Sequence, residues 1–422
     1  MPAAGPALLA AAYATVALAP ALLLPDGRGL WDHAVSGLTR VAFALFFIEF
    51  VLSGRFRPIS DPIGMDTTMR LHQGVARPMA VLLLLHPFLY AAVPAPAGLA
   101  AATGLAAWPL LALLVVTAIG RDSLPWTYEA WRLTHGLGAL VLAGVATLHA
   151  VLAPAGAHPA LAWLWLVLFG LAAASLVSVY LIRPITRARR PWRVVSVTPA
   201  ADRTWVVTIA AEGHAGLRFK AGQFVWLVLD RGPASLREHP FSIASPPSDP
   251  ARLSFVIAAA GDFTNGIGAL RVGAPAYVDG PHGALTPLAR PAAGFVFIAG
   301  GTGIAPVLSV LREAAALGDR RPMRLVVGAW RAERLVARAE IATLAERLDL
   351  SVVEVLSDPP PGWQGEAGVL DAAVLARHCG RDRAGHLHVL CGPPAMLTAA
   401  TAALRRLGVR RGDIMAESFR YG

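Results

Sequence analysis

Four histidines lie inside apolar stretches in the first half of the chain, where an ionisable side chain is costly and usually functional. They form two pairs, His72 with His86 and His135 with His149, and both intervals are 14 residues. In an α-helix, 14 residues come within about 40° of four full turns and cover about 21 Å, so the members of a pair share one face. Two such helices running in the same direction would bring two imidazoles together at each of two levels. This geometry is typical of two b-type haems, each with two histidine ligands.

Two other interpretations of these histidines were weighed. In the first interpretation, each histidine is a hydrogen-bonded residue of a helical bundle. This could hold for any single histidine, but the two equal 14-residue intervals disfavour it for all four. Non-haem iron or copper would require carboxylates or thiols beside the imidazoles, and the two histidine-bearing stretches contain none. We therefore predict that His72 and His135 ligate one haem iron and that His86 and His149 ligate the other.

The elements that would position these histidines follow from composition. The chain has 422 residues, of which 55% are hydrophobic and 15% charged, a balance shifted towards membrane proteins. No charged residue occurs between Arg77 and Arg121 or between Arg132 and Arg183. Apolar stretches of about 20 residues in the first half of the chain predict six membrane-spanning helices. Their approximate ranges are 6–24, 34–53, 72–93, 99–120, 134–153 and 161–182.

Charge distribution predicts orientation. Arginines concentrate in alternate connections and after the sixth stretch, so the positive-inside rule places both termini in the cytoplasm. His72 and His135 then lie at the cytoplasmic level, and His86 and His149 at the outer level.

The net charge is +10, and almost all of the basic residues are arginines. Arginines that flank membrane spans or contact anionic cofactors explain this excess better than nucleic-acid binding does. The two cysteines, Cys379 and Cys391, exclude a disulfide scaffold.

The second half of the chain has a different pattern. Short alternating β-rich runs after Pro191 predict a small antiparallel β-barrel, and strands that alternate with helices from about residue 294 predict a doubly wound parallel sheet. The fold class is therefore a six-helix transmembrane bundle followed by a β-barrel domain and an α/β domain. We place the three domains at residues 1–190, 191–290 and 291–422.

One local motif in the α/β part points to a nucleotide. A hydrophobic strand, Phe295–Ala299, leads into the turn Gly300-Gly-Thr-Gly303, which opens a helix. Backbone N–H groups of such a turn can approach a pyrophosphate at the positive N-terminus of the helix. The turn lacks the G-x-G-x-x-G spacing, so the common Rossmann dehydrogenases are a poor match.

Six motifs in order resemble the ferredoxin-reductase-like flavoproteins. These motifs follow six predicted spans with paired histidines. The whole chain is therefore similar to the NADPH oxidase and ferric reductase family. The motifs are His239-Pro-Phe-Ser-Ile-Ala-Ser245, Gly261-Asp-Phe-Thr264, Gly280-Pro-His-Gly283, Gly300-Gly-Thr-Gly-Ile-Ala-Pro306, Cys391-Gly-Pro-Pro394 and Glu417-Ser-Phe419.

This resemblance implies FAD as a cofactor and a role for each matching position. Ser242 would lie near the isoalloxazine edge, Phe263 and Thr264 beside the FAD diphosphate, and Phe419 over the flavin face. The segment in contact with the flavin would be His239, Pro240, Phe241 and Ser242. The pyrophosphate of the nicotinamide dinucleotide would lie on Gly300, Gly301, Thr302 and Gly303, and the nicotinamide side on Cys391, Gly392 and Pro393.

The choice of nicotinamide nucleotide is predicted from the end of the next strand. Arg331 and Arg334 follow that strand, near the expected adenosine ribose, and no acidic residue comes immediately after it. Arginine there favours a 2′-phosphate, so we expect NADPH, with NADH possible. The alternative is a solvated arginine pair.

The resemblance also implies a function: a bacterial inner-membrane, multi-pass oxidoreductase that passes electrons from cytoplasmic NADPH through FAD and two haems to an outer acceptor. Dioxygen, reduced to superoxide, is the first expectation; the alternatives are a ferric chelate and a periplasmic acceptor protein. No obligatory protein partner is predicted. Arg40, within the second span, is expected near the outer haem, where family oxidases use an arginine to stabilise superoxide. Those oxidases tend to have a histidine where this chain has Tyr90, which favours the ferric reductase alternative.

Overall fold

The computed structural model describes residues 29–91, 96–153, 158–379 and 385–417, together with residues 11, 13, 14 and 18. The chain divides into two compact units, Met1–Arg183 and Pro184–Gly422. The first is helical and the second contains two β-sheets.

The first unit is a bundle of apolar helices. Its core is rich in aromatic side chains: Phe43 packs 4.9 Å from both Phe47 and Trp165, measured between ring centroids. The last helix continues through a π-helical turn, Ser178–Ile182, into α7 (Arg183–Ala188). The described helices before that turn are α1 (Leu30–Ser53), α2 (Arg57–Ile63), α3 (Met65–Leu89), α4 (Gly98–Ile119), α5 (Tyr128–Leu152) and α6 (Pro159–Val177).

The prediction of six spans needs correction. In the described part of the chain, four helices are long and apolar enough to cross a membrane: Leu30–Ser53, Gly98–Ile119, Tyr128–Leu152 and Pro159–Ala188. The predicted span 72–93 falls in α3, which is long enough but carries Arg70 and Arg77, and these charges lower its hydropathy. The predicted span 6–24 lies outside the described residues, apart from the four single positions given above.

An antiparallel sheet opens the second unit. Its strand order is β4-β3-β6-β1-β2-β5. The predicted closed barrel is wrong, because the edge strands β4 and β5 are joined by a single isolated bridge, Ile243 to Phe255, rather than by a ladder. The short β4 ends too soon to close the sheet. The strands are β1 (Trp192–Ala201), β2 (Thr204–Ala211), β3 (Phe224–Leu229), β4 (His239–Ser242), β5 (Arg252–Ala258) and β6 (Pro275–His282).

A parallel sheet completes the second unit, as the alternating pattern predicts. The strand order is β10-β9-β8-β7-β11-β12, and all neighbouring strands are parallel. The chain order reverses between β7 and β11, which are adjacent; in open α/β sheets, ligands bind at the carboxyl ends of strands at such a point. The strands are β7 (Gly294–Gly300), β8 (Met323–Ala329), β9 (Leu350–Leu356), β10 (Glu366–Ala367), β11 (His386–Cys391) and β12 (Ile414–Glu417). The helices are α8 (Ile304–Leu317), α9 (Arg338–Arg347), α10 (Ala372–His378) and α11 (Pro394–Arg406).

Candidate functional sites

The four histidines of the first unit lie on two helices, His72 and His86 on α3 and His135 and His149 on α5. Electrostatic interactions link the rings of the two helices in pairs, His135 with His72 and His86 with His149. The pairing across the two helices is therefore the one that the 14-residue intervals indicate.

Hydrogen bonds fix the Nδ1 atom of three of these rings. Nδ1 of His86 is 2.6 Å from the carbonyl oxygen of Leu83, and Nδ1 of His149 is 2.8 Å from that of Ala100. Nδ1 of His72 is 2.7 Å from a carboxylate oxygen of Glu49. A carbonyl or carboxylate oxygen accepts from Nδ1–H, so in each ring Nε2 is left as the nitrogen with a lone pair for a metal.

These residues fit a haem. An iron held by a porphyrin needs only two axial ligands from the protein, and each pair offers two imidazoles. The ring of His149 has room against α4 because position 104 is glycine, where a Cβ would lie 2.8 Å from His149 Cε1. The ring of His135 stacks on Trp131 with centroids 5.1 Å apart. In the described residues no group of three or more His, Cys, Asp or Glu side chains surrounds a point that could take a bare metal ion.

Helix α1 places two buried charged groups in the same unit. Arg40 is 8% exposed and Glu49 4% exposed, nine residues further along the helix. A role was predicted from sequence for Arg40 but not for Glu49, which lies outside the two histidine-bearing helices. A lone acid in an apolar span was the signal that could have found it.

In the second unit, the predicted flavin segment forms the edge strand β4. The His239 ring stacks on Phe263 with centroids 4.2 Å apart, and Phe241 lies 6.2 Å from the same ring. Ser242 is buried beside β3, opposite Phe224, while Pro240 is half-buried. The structure therefore brings the two predicted FAD segments, 239–242 and 263–264, into contact.

The Thr264 hydroxyl is already engaged within its loop. It accepts hydrogen bonds from the backbone N–H groups of Ala260 and Gly261, at 2.8 and 3.0 Å. The side chain thus shapes the loop that begins a 3₁₀ turn, Thr264–Ala269. The hydroxyl also donates to the carbonyl oxygen of Gly261 at 3.3 Å. Any contact of this segment with a diphosphate would therefore come from its remaining backbone N–H groups.

The end of the flavin segment is tied to the nucleotide fold. Ser309 on α8 donates from its hydroxyl to the carbonyl oxygen of Ser245 at 2.7 Å, and Arg312 donates to that of Ala244 at 2.7 Å. Arg312 also forms a bidentate ion pair with Glu340, both distances being 2.7 Å. The helix that follows the glycine-rich turn therefore holds the chain immediately after β4.

Two turns meet at the carboxyl ends of β7 and β11. The first is the 3₁₀ turn Gly301–Gly303, in which Gly301 has φ +55°, a conformation that glycine adopts without strain. The second begins at Cys391. A Cβ on Gly303 would lie 2.1 Å from the carbonyl oxygen of Cys391, so the close contact requires glycine. Thr302, at the exposed tip of the first turn, and Pro393, exposed after the second, flank this contact.

The Cys391 side chain points into the hydrophobic core and is fully buried. Burial raises the pKa of the Cys391 thiol, and the nearby Glu417 carboxylate raises it further. The group is therefore a neutral thiol at physiological pH rather than a nucleophilic thiolate. Glu417, opposite Cys391 in the β11–β12 ladder and 6% exposed, is a buried acid to which the sequence analysis gave no role.

The two arginines predicted near the adenosine are each paired with a carboxylate. Arg331 donates to Asp358 at 2.7 Å, and Arg334 lies 3.4 Å from Asp202. The hydrogen bond to Asp358 raises the pKa of Arg331. Both arginines are more than half exposed, so a nucleotide phosphate could still reach them, in competition with these acids. Phe419, the predicted cover of the flavin face, lies outside the described residues.

Comparison with known proteins covers both units. A family profile described as "Ferric reductase like transmembrane component" matches residues 38–146. Profiles described as "FAD-binding domain" and "Oxidoreductase NAD-binding domain" match residues 189–276 and 297–402. The order of the three profiles is the order of the described elements.

Individual relatives match the second unit. The reductase component of propane 2-monooxygenase from Gordonia sp. (strain TY-5) is 33% identical over 236 residues, 54% of this chain and 66% of that protein. Ferredoxin–NADP reductase B from Sorangium cellulosum (strain So ce56) is 32% identical over 238 residues, 54% of this chain and 96% of that protein. The chain thus spans a little under two thirds of the first of these relatives.

A solved structure shares the fold more widely. Flavohemoglobin from Malassezia yamatoensis, with bound FAD and heme, aligns with a TM-score of 0.52 over 96% of this chain and 98% of its own, at 17% identity. The second unit binds FAD and NAD(P)H, and the ferric-reductase-like segment and apolar helices make the chain a membrane protein. The chain therefore belongs to the ferric reductase and NADPH oxidase type of fusion, in which a ferric-reductase-like transmembrane component precedes ferredoxin-reductase-type FAD- and NAD(P)-binding domains.

Proposed function

We propose that this chain moves electrons from cytoplasmic NADPH, by way of bound FAD and two b-type haems, to dioxygen on the outer face of the bacterial inner membrane. Both termini would be cytoplasmic, and the domains would be residues 1–190, 191–290 and 291–422. FAD would accept hydride and release single electrons, and haem iron would carry single electrons across the bilayer.

The observation that carries this proposal is the pairing of histidines on α3 and α5. His72 and His135 would hold one haem, and His86 and His149 the other. Hydrogen bonds to Nδ1 would keep three of these rings in the tautomer that leaves Nε2 available to hold a haem iron. A bundle that used its histidines only for packing would gain nothing from two matched pairs.

In the second unit, the chain's own groups bind and orient the two nucleotides. The close contact between Gly303 and Cys391 holds the glycine-rich turn at the start of α8, where a pyrophosphate would bind. Ser242 would orient the flavin edge, and the backbone of Cys391 with Gly392 and Pro393 would border the nicotinamide, since the Cys391 thiol points into the core. Phe419 would cover the flavin face and exclude water.

Ferric chelate is the second candidate acceptor, and Tyr90 supports it. The Tyr90 ring stands edge-on to His86 with centroids 6.5 Å apart, where family oxidases tend to have a histidine. With a phenol at this position, the chain lacks the additional imidazole that those oxidases have next to the outer pair.

One experiment tests the proposal and separates the acceptors. The purified chain in detergent micelles is assayed for haem by pyridine haemochrome, reduced anaerobically with NADPH, and mixed by stopped flow with oxygen or with ferric citrate. We expect two haems per chain, full reduction, and fast reoxidation with superoxide release on mixing with oxygen. A haem content near zero would refute the proposal, and reoxidation by ferric citrate alone would replace dioxygen as acceptor.

Arg40 provides a finer test of the acceptor side. Arg40→Ala should slow haem reoxidation while NADPH-dependent flavin reduction keeps its parental rate. Arg40→Lys, which keeps the charge, is the matched control and should retain most of the reoxidation rate. Unchanged reoxidation of Arg40→Ala by every acceptor would remove this residue from the site.

A further inference from the structure

A buried carboxylate contacts one of the four histidines. Glu49 lies in α1 with 4% of its surface exposed, and its Oε2 atom is 2.7 Å from Nδ1 of His72. Its other oxygen, Oε1, accepts a hydrogen bond from the Tyr13 hydroxyl at 3.1 Å. Both carboxylate oxygens of Glu49 are therefore engaged, one by the His72 ring and the other by the Tyr13 hydroxyl. An acid placed inside an apolar helix usually serves function rather than packing.

The corresponding contacts of the other histidines are neutral. Nδ1 of His86 and Nδ1 of His149 each bond to a backbone carbonyl oxygen, that of Leu83 and that of Ala100. Nδ1 of His135 is buried and has no hydrogen-bond partner in the described part of the chain. Among the described residues, an anionic partner is therefore found at the His72–His135 pair and not at the His86–His149 pair.

The chemistry of this asymmetry is specific. An imidazole that donates its Nδ1–H to a carboxylate is a more basic ligand than one that donates to a carbonyl. A more basic ligand and a nearby negative charge both stabilise ferric over ferrous iron, so they lower the reduction potential of the haem. A carboxylate at one pair only would thus separate the potentials of two otherwise similar haems.

We propose that Glu49 is a positioning residue that, through His72, lowers the potential of the haem held by His72 and His135 below that of the other haem. This inference rests on the proposed function, since it requires both haems. The lower potential at the cytoplasmic level makes electron passage from His72–His135 to His86–His149 downhill. Glu49 on α1 would thus favour electron transfer in the outward direction.

Redox titration of the two-haem protein, followed by absorbance, tests this assignment. Glu49→Gln keeps the size of the side chain and an acceptor oxygen but removes the charge. We expect the lower of the two midpoint potentials to rise by about 59 mV, the equivalent of a tenfold change in the equilibrium constant for one electron. The higher potential should stay in place. The proposal is overturned if the higher potential moves instead or if neither moves.

Asp32→Asn is the matched control, because Asp32 is a second buried acid of α1, 17 residues before Glu49, and it accepts from the backbone N–H of Ala91. Neutralising it should leave the lower potential unchanged. A readout that a purely structural role would not move is the low-spin ferric EPR signal: Glu49→Gln should shift the signal of one haem and Asp32→Asn should not. An equal shift of the EPR signal or of the potential in both variants would overturn the proposal, because the effect would then not depend on the contact between Glu49 and His72.

A second variant keeps the proposal testable if Glu49→Gln loses a haem. His149→Ala should retain only the haem of His72 and His135, and this haem should titrate at the lower of the two parental potentials. Titration at the higher one would refute the assignment to Glu49. Absence of haem from the parent protein would be a failure of the proposed function instead, and haemochrome analysis of the parent distinguishes the two cases.

Discussion

The two units hold their candidate sites with different parts of the polypeptide. In the helical unit, four side chains on α3 and α5 would bind the redox groups, and hydrogen bonds to Nδ1 fix three of them. In the second unit, backbone does the corresponding work: Gly303 contacts the carbonyl of Cys391 with no space for a side chain at that position. The comparison teaches that the first site should be destroyed by removing side chains and the second by adding them.

The largest expected effect breaks the helical site. His149→Ala removes one axial ligand, so the protein should lose one of two haems, half of its haem content. Pyridine haemochrome analysis per mole of chain measures this directly. His158→Ala is the matched control, because His158 is an exposed residue just before α6, and this variant should keep both haems. Equal losses in the two variants would contradict the assignment of His149 as a ligand.

The next effect adds a side chain to the second site. In Gly303→Ala, the new Cβ would lie 2.1 Å from the carbonyl oxygen of Cys391, so one of the two turns must move. We expect a cost of about 1–3 kcal/mol, as for other overpacked sites, and at least a tenfold rise in KM for NADPH. Steady-state kinetics and thermal unfolding measure the two effects. Gly412→Ala, where a Cβ meets nothing within 4 Å, should match the parent in both.

A smaller effect tests the exposed arginines. Arg331→Ala should lower kcat/KM for NADPH more than for NADH by roughly three- to tenfold, because a charge-assisted contact to phosphate is lost from an exposed site. Asp358→Asn removes the competing carboxylate and should change the NADPH-to-NADH ratio in the opposite direction. If neither variant alters that ratio, Arg331 does not contact the 2′-phosphate.

The smallest effect concerns stability of the second unit at low pH. Hydrogen bonds from Arg377 and then His378 lower the pKa of Glu366 from 4.5 to about 2. A carboxyl with a lowered pKa stabilises the folded state fully above about pH 4.5, and this contribution disappears as the pH falls towards 2. Glu366→Gln should therefore lower the thermal midpoint slightly at pH 7 and by less at pH 3. Calorimetry on the whole chain measures the change in thermal midpoint caused by Glu366→Gln at each pH. The same change at pH 7 and pH 3 would show that the ionised Glu366 carboxylate is not its cause.

Sequence patterns predicted local elements better than distant pairings. The parallel sheet is confirmed for β7, β8, β9 and β11, because alternation of buried strands with helices leaves few other arrangements. The short edge strands β10 and β12 were not predicted. Barrel closure was predicted wrongly, since it depends on whether β4 and β5 pair over a ladder, and neighbouring residues carry no information about that. The length of the apolar stretch in α3 suggested a span, but the arginines of the same helix lower its mean hydropathy.

The site residues differ in the same way. The histidine intervals are local, so they were visible from sequence, although their ligand role stays a prediction. The Glu49 contact with His72 joins residues 23 apart, and the Asp358 contact with Arg331 joins residues 27 apart. Both partners depend on how helices or strands pack, which no short motif encodes. Glu417 stood in a quoted motif, yet its proximity to Cys391 follows only from the β11–β12 register.

The contact between Gly303 and Cys391 also limits how this protein can diversify. Where two backbone segments are in contact, almost no substitution is tolerated. Related proteins that bind another nucleotide must therefore carry their changes at other positions. The exposed pairs Arg331–Asp358 and Arg334–Asp202 are the available positions, since their side chains face solvent and exchange at little cost in folding. Divergent lineages should therefore keep the turns fixed and vary at these two pairs.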